Sequence, residues 1–265
     1  MRFDVITLFP DMVRAPFRYS LMAKAEEAGL FALQVHDLRQ WADGRHRVCD
    51  DQPFGGGEGM VMKVGPIAAA LQAVREPDKR SRVILMSPGG QRFDQSHAFR
   101  LASYEQLILL CGHYEGVDER VQTRLVDEVL SIGDFVLTGG ELAAMVVLEA
   151  TARVLPGVVG DAASVENESF SAGLLDCPHY TRPRNFNGWE VPEILVSGDH
   201  GKVALWRRQE ALRRTFLARP ELLAHAALTE QEQAMIALFK SDPSIGQGEV
   251  LVQTRLKPVK KRRRS

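Results

Sequence analysis

Cysteine is scarce in this sequence, and its spacing excludes two kinds of stabilised fold. The three cysteines among the 265 residues, Cys49, Cys111 and Cys177, are far apart and form no Cys-x-x-Cys pair. Neither a disulfide framework nor a zinc site is therefore indicated. We expect reduced thiols, as in a cytoplasmic protein.

Long apolar runs are also absent. The longest, such as residues 143–148, are far shorter than the roughly 20 residues that a membrane-spanning helix needs. The first residues, MRFDVITLFPD, include Asp4 and no extended apolar stretch, which is not the pattern of a signal peptide. We therefore predict a cytoplasmic location and no membrane partner.

The chain has almost no net charge, but its charges are unevenly placed. It carries 33 basic and 34 acidic residues, a formal net charge of −1. Residues 255–265 (RLKPVKKRRRS) hold seven of the basic residues and no acid, so 26 basic residues face 34 acidic ones elsewhere, a net charge of −8. This asymmetry is typical of a basic tail. Solubility and contact with RNA are equally good explanations of the tail.

The first 155 residues alternate between strand and helix patterns. Short apolar runs separated by helical patterns indicate a parallel sheet covered on both faces, an α/β fold. The predicted strands are residues 3–9, 31–38, 83–86, 107–111 and 128–132, and the predicted helices are 19–28, 66–75, 94–103, 117–125 and 140–154.

Three loops rich in glycine or proline follow predicted strands. They are residues 87–92, 112–116 and 133–140. Ligands of open parallel sheets bind beyond the carboxyl ends of the strands, so these loops are the expected small-molecule site. They contain neither GxGxxG nor GK[ST], which favours a nucleoside-containing ligand held by backbone groups over a triphosphate. Taken alone, a Gly-x-x-x-Gly loop such as residues 112–116 is usually only a turn, and on spacing alone a tight connection between strand and helix stays open for residues 133–140.

The pattern changes after residue 156. Residues 156–176 have little apolar periodicity, and helical patterns return at 202–218 and 230–240, which predicts a small helical domain. In the first of these helices we predict an apolar side and an opposite side with Arg207, Arg208 and Arg214. The apolar side is made of Val203, Leu205, Trp206, Leu212, Phe216 and Leu217. Residues 182–214 hold seven basic and four acidic residues, which favours contact with phosphates. Trp189 and His179 are candidates for stacking on a base, although Trp189 suits a core equally well.

Several long segments together resemble the bacterial tRNA (guanine-N1)-methyltransferases of the TrmD family. They cover nearly the whole chain to about residue 240. The matching segments are FDVITLFPDM near the start, DDQPFGGGEGMVMK (50–63), SPGGQRFDQ (87–95), LCGHYEGVDERV (110–121), SIGDFVLTGGELAAM (131–145), RVLPGVVG (153–160), SFSAGLLDCPHYTRP (169–183) and WRRQEALRRTFLARPELL (206–223).

The resemblance implies a particular α/β architecture: a SPOUT-type parallel sheet with a deep trefoil knot, plus a small α-helical C-terminal domain. It implies a catalytic domain over residues 1–160, a flexible linker over 161–175, a helical tRNA-binding domain over 176–245 and a basic tail over 246–265. It also implies a homodimer with sites at the subunit interface.

The implied reaction is methylation of N1 of guanosine 37 of tRNA, beside the anticodon, with S-adenosylmethionine as methyl donor. A dependence on magnesium ions is an expectation from the resemblance only, because the sequence has no recognisable ligand cluster for them. The implied cofactor-binding residues are Leu85, Ser87, Pro88, Gly90, Gly112, Tyr114, Gly116, Ile132, Gly133, Asp134, Phe135, Val136, Leu137, Gly139 and Gly140.

The implied catalytic residues are Arg153, Glu115 and a carboxylate before Ser169. On spacing alone, Arg153 is explained by the favourable interaction of a cation with the carboxyl end of a helix. Glu166 and Glu168 are then explained as solvated surface residues. The family has Asp directly before the Ser-Phe pair, where this chain has Glu168, and Glu166 is the fallback base. A methyltransferase for another RNA base and a non-catalytic RNA-binding protein remain alternatives. The predicted tRNA contacts are Ser169, His179, Arg182, Arg207, Arg208 and Arg214.

Overall fold

The computed structural model describes residues 1–160 and 168–241, and the chain divides into two compact units, 1–162 and 163–265. Glu166, residues 161–167 of the predicted linker and the basic tail lie outside the described residues. Within the described residues, no helix is both long enough and apolar enough to cross a bilayer.

The first unit is built on a five-stranded parallel sheet. Its strands, in the spatial order β2-β1-β6-β5-β7, are β1 (Arg2–Thr7), β2 (Ala32–Asp37), β5 (Ser81–Arg92), β6 (Gln106–Cys111) and β7 (Glu128–Ser131). A short antiparallel pair, β3 (Asp50–Asp51) and β4 (Val61–Met62), lies where the sequence predicted no strand. The helices are α1 (Pro10–Arg14), α2 (Ser20–Glu27), α3 (Val64–Val74), α4 (Gln95–Leu101), α5 (Glu119–Arg124) and α6 (Glu141–Arg153).

Both faces of this sheet are buried, as predicted for an α/β fold. Every residue of β6 is buried, and because side chains alternate along a strand, Leu107 and Leu109 join one cluster while Ile108 and Leu110 join the other. The first cluster includes side chains of α1, α2, α4 and α6, and the second includes those of α3 and α5. The predicted parallel sheet with helices on both faces is therefore confirmed.

Strand β5 is much longer than the prediction. The sequence predicted a strand ending at Met86 and a ligand loop at 87–92, but the strand continues to Arg92 beside β7, with a shift of register between Met86 and Gln91. Gly90 makes this possible, because a Cβ atom there would lie 2.6 Å from the backbone of Leu130. A neighbouring strand thus decides the structure of a segment that looks like a turn.

The second unit combines a hairpin with helices. Its elements are β8 (Asn185–Phe186), β9 (Trp189–Glu190), α7 (His200–Ala218) and α8 (Glu230–Ser241), with 3-10 turns at Glu193–Val196 and Pro220–Ala224. Leu174, Leu212 and Ile236 form its apolar core. Since Leu174 is buried there and the N–H of Leu175 donates to Thr215 Oγ1 (2.9 Å), residues 174 and 175 pack with this unit rather than forming a free linker.

The predicted apolar side of α7 is partly wrong. Leu205 is 59% exposed and Leu217 is also exposed, whereas Glu210 and Thr215 are buried. The reason is polar pairing: Glu210 is paired with Arg213 (2.8 Å), and the Thr215 hydroxyl donates to the carbonyl of Ala211. The buried side of the helix is therefore selected by hydrogen-bond partners as well as by apolarity.

Candidate functional site

A cavity of about 380 Å³ lies beyond the carboxyl ends of β6 and β7 and beside residues 85–88 of β5. Of the fifteen predicted cofactor-binding residues, all but Gly90 and Asp134 line it. The loops 112–116 and 133–140 meet here, and the N–H of Gly140 donates to the carbonyl of Gly112 (2.9 Å). The structure thus brings together three segments that are far apart in sequence.

Small residues let the main chain form much of this cavity. A Cβ atom on Gly140 would lie 2.9 Å from Cys111 Cα, so only glycine allows the two segments to approach. Tyr114 has a φ of 61° and Gly116 one of 113°, which turn the loop after β6 sharply. Such a wall offers N–H and C=O groups to a ligand.

The two predicted residues outside the cavity are explained by their positions. Gly90 packs against the backbone of β7, and its lack of a side chain serves sheet pairing. Asp134 is exposed and does not line the cavity. Sequence reasoning missed several lining residues, namely Met86, His113, Val117, Glu119, Gln122, Leu130, Ser131, Thr138 and Ala143.

A buried polar network ties the cavity loops to β1. Glu141 is buried at the start of α6; its Oε1 accepts a hydrogen bond from the Thr7 hydroxyl, and its Oε2 lies 2.7 Å from His113 Nε2. The Phe9 ring contacts the His113 ring at a tilt of 56° (centroids 4.8 Å apart). Gly139 leaves the space for this imidazole, since a Cβ there would lie 2.2 Å from it. The sequence signal was an acid at the start of an otherwise apolar helix.

The predicted catalytic residues lie in different parts of the chain. Glu115 lines the cavity, and its side chain occupies space that a Cβ on Gly59 would fill, at 2.6 Å. Arg153 is the last residue of α6 in the first unit and is partly buried. Glu168 belongs to the second unit and is also partly buried.

Three of the predicted RNA-contacting residues converge in the second unit. His179, Arg182 and Arg207 line a pocket of about 380 Å³ together with Arg184. The other three predicted residues make contacts within the unit. Arg208 pairs with Glu232 (2.6 Å), Arg214 donates to the carbonyl of Asp176 (3.1 Å), and Ser169 Oγ accepts from the N–H of Asp176 (2.9 Å).

One group of side chains has the geometry of a metal site but the wrong chemistry for magnesium. The ligand atoms of Asp176, Cys177 and His179 lie within 4.8 Å of one another. Burial raises the pKa of the Cys177 thiol, and the carboxylate of Asp176 beside it raises it further. Magnesium prefers oxygen ligands, so a thiol, an imidazole and a single carboxylate do not suit it. His179 instead pairs with Asp176 (2.8 Å).

Comparison with known proteins gives one consistent result. The family model described as tRNA (guanine-1)-methyltransferase TrmD matches residues 1–225. A tRNA (guanine-N(1)-)-methyltransferase of Chloroflexus aggregans is 54% identical over 242 residues, which cover 89% of this chain and 94% of that protein. The protein of the same name from Geobacter metallireducens is 51% identical over 233 residues, covering 88% of this chain and 95% of that one.

Proposed function

The chain belongs to the TrmD family of tRNA (guanine-1)-methyltransferases, and on this premise we propose that it methylates N1 of guanosine 37 of tRNA, with S-adenosylmethionine as donor, in the cytoplasm. The observation that carries the proposal is the convergence of the glycine-rich loops 112–116 and 133–140 on one cavity at the carboxyl ends of the sheet. That position is where open α/β sheets bind nucleoside-containing ligands.

The cavity suits S-adenosylmethionine in size and in chemistry. Its volume of about 380 Å³ lies within the usual range for small-molecule sites. The main chain at Gly112, Tyr114 and Gly140 would hold the adenosine part, while Leu85, Ile132 and Leu137 would provide apolar contact. When bound, S-adenosylmethionine supplies a methyl group on a positively charged sulfur.

The target nitrogen requires a base and a cation. N1 of neutral guanine carries a proton and its lone pair is delocalised in the ring, so a base must accept that proton. We assign this role to Glu168. Negative charge then develops on O6, where the guanidinium of Arg153 would stabilise it. Glu115, in the cavity wall, would position the target base.

We also propose the knot and the dimer that the family resemblance implies. Apolar side chains that are exposed in the first unit support the dimer: Leu142 and Val146 lie one turn apart on α6, and α1, with the exposed Met12, packs beside it. Val136, in the loop before α6, is 84% exposed. A second copy would remove this apolar surface from water. The helical second unit would then help to hold tRNA.

Identification of the methylated nucleoside tests the proposal. Unmodified tRNA transcript and labelled S-adenosylmethionine should give 1-methylguanosine at position 37, detected by mass spectrometry of digested RNA. Glu168→Gln should lower turnover by at least about 100-fold, because it removes the base, whereas Glu168→Asp should retain much of the activity. Arg153→Ala should lower turnover with little change in cofactor affinity.

The matched control is Glu27→Gln, at an exposed position at the end of α2, which should leave activity unchanged. A different methylated nucleoside would favour a methyltransferase of another RNA base. Absence of methyl transfer by the wild-type protein would favour a non-catalytic RNA-binding protein. The observation in favour of that alternative is Glu168, which stands where the family has Asp.

A further inference from the structure

The hairpin of β8 and β9 presents a surface that the proposed reaction does not use. We propose that Phe186 and Trp189 stack against an unpaired base of the RNA, and that the adjoining arginine pocket holds a phosphate of the same strand. The identity of this RNA as tRNA rests on the proposed function.

The two aromatic rings form one exposed platform. Phe186 and Trp189 are directly opposite each other in the antiparallel pair, with ring centroids 5.9 Å apart and planes inclined by 51°. Their residues are 55% and 75% exposed, and neither belongs to the apolar core of the described second unit. Two aromatic rings held in water by a hairpin are a surface suited to another flat ring.

The acidic residue of the hairpin is on the opposite face. Side chains alternate along a strand, so Asn185 and Glu190 face away from the aromatic pair. The Asn185 amide donates to Glu190 Oε1 (3.0 Å), and Asn185 Oδ1 accepts from the N–H of Gly188. Asn187 (φ 53°) and Gly188 (φ 90°) form the tight turn between the strands. The aromatic face therefore carries no carboxylate that would repel a phosphate.

Arginine continues the same face toward the pocket. Arg184 lies two residues before Phe186, and its carbonyl accepts from the N–H of Val191, which extends the ladder of the hairpin (2.9 Å). Arg184 and Val191 both line the pocket of about 380 Å³ that His179, Arg182 and Arg207 share. No acidic residue lines that pocket in the described part of the chain. Three guanidinium groups suit a phosphate.

Together, the platform and the pocket match the two chemical parts of an unpaired nucleotide strand. Proteins that bind unpaired RNA combine aromatic stacking with a cationic path for the backbone. Loss of one stacking ring typically weakens binding by about 10-fold. The cationic pocket favours RNA as the occupant, because an RNA backbone carries a negative charge on every phosphate. A second copy of the chain instead carries 26 basic residues among its 34 acidic ones outside residues 255–265.

The test measures binding of unmodified tRNA transcript to the full-length protein without cofactor. Trp189→Ala and Phe186→Ala should each raise the Kd for tRNA by about 10-fold, while Trp189→Phe should retain most of the affinity. Arg184→Gln should lower the slope of log affinity against log salt concentration by about 1. Glu190→Gln, on the opposite face, is the matched control and should leave the Kd unchanged.

Fluorescence separates direct stacking from an indirect structural effect. Of the three tryptophans, Trp189 is 75% exposed, Trp206 is buried and Trp41, in the first unit, is partly buried, so stacking of a base on the hairpin should quench mainly the Trp189 emission. The quenching by tRNA should disappear in Trp189→Phe although binding persists. Melting temperature and sedimentation of each variant exclude misfolding.

Two outcomes would overturn the proposal: tRNA affinity that is unchanged in Trp189→Ala and Phe186→Ala, or a change of oligomeric state that accounts for the whole loss. The second would identify the platform as a contact between copies. Because binding is measured without methyl transfer, a wild-type protein that binds tRNA through this face but forms no 1-methylguanosine would contradict the proposed function only.

Discussion

At the scale of single residues, Asp4 is a buried acidic residue within the sheet. It lies in β1 with no exposed surface, and Arg2, His36 and Gln106 surround its carboxylate at 2.7 to 2.8 Å. Burial alone would raise the pKa of Asp4, but the hydrogen bonds from His36, Arg2 and Gln106 outweigh it and lower that pKa below its ordinary value. The folded protein therefore favours the ionised carboxyl group.

Asp4→Asn should destabilise the first unit in a pH-dependent manner. Breaking a buried charge network of this kind costs about 3 kcal/mol near neutral pH. Because the pKa is lower in the folded state, the contribution of Asp4 is present above the unfolded pKa of about 3.9 and is lost as pH falls through the folded value. Urea unfolding of wild type and variant at several pH values measures the difference.

The difference in free energy of unfolding should thus be largest near pH 6 and shrink below pH 4. Asp51→Asn, at an exposed position of β3, is the control and should have little effect at either pH. A difference that stays constant between pH 3 and pH 6 would show that Asp4 acts through shape and not through charge.

At the scale of elements, apolar pattern and turn residues predicted where most strands and helices lie. Helix α4 begins within the predicted range 94–103, where Asp94 caps it by accepting a hydrogen bond from the N–H of His97. The extension of β5 was not predictable, because Pro88, Gly89 and Gly90 have the composition of a turn. They lie in the irregular part of β5, and pairing of Gln91 and Arg92 with β7 continues the strand beyond them. The sequence of β5 alone does not contain that partner.

The start of α6 is likewise fixed by partners that are distant in sequence, which Glu141 contacts. Its carboxylate links Thr7 at the end of β1 to His113 in the loop after β6, so it connects elements that are distant in sequence. Glu141→Ala should lower the free energy of unfolding by about 3 kcal/mol, since a buried hydroxyl and an imidazole would lose their partner. It should also weaken binding of S-adenosylmethionine, because His113 lines the cavity.

Chemical denaturation and calorimetric titration with S-adenosylmethionine measure these two effects. Glu149→Ala, at an exposed position of the same helix, is the control. If Glu141→Ala reduced stability but left cofactor affinity at the wild-type value, the network would hold the fold together without shaping the cavity.

At the scale of the whole molecule, the family resemblance predicted more than any pattern could. Thirteen of the fifteen predicted cofactor residues meet in one cavity, although they come from three separate segments. The sequence did not predict which side chains pair with one another in the fold. Arg208 and Arg214 look like free cations in the sequence, yet Glu232 and the carbonyl of Asp176 engage them. Arg184, which was not predicted, lines the cationic pocket instead.

The uneven charge of the whole chain leads to a last prediction. The seven basic residues of 255–265 are outside the matched family model, which ends at residue 225. Their deletion should leave turnover at saturating tRNA nearly unchanged, because the proposed catalytic groups lie elsewhere. It should flatten the salt dependence of tRNA binding, since each lost contact with a single-stranded phosphate lowers the slope by about 0.7. Filter binding over a range of salt concentrations, beside steady-state kinetics, measures both quantities. A full-length chain in which all seven basic residues are replaced by serine separates charge from length: it should behave like the deletion. Loss of turnover at saturating tRNA would mean that the tail takes part in the reaction, and an unchanged slope would leave solubility as its role.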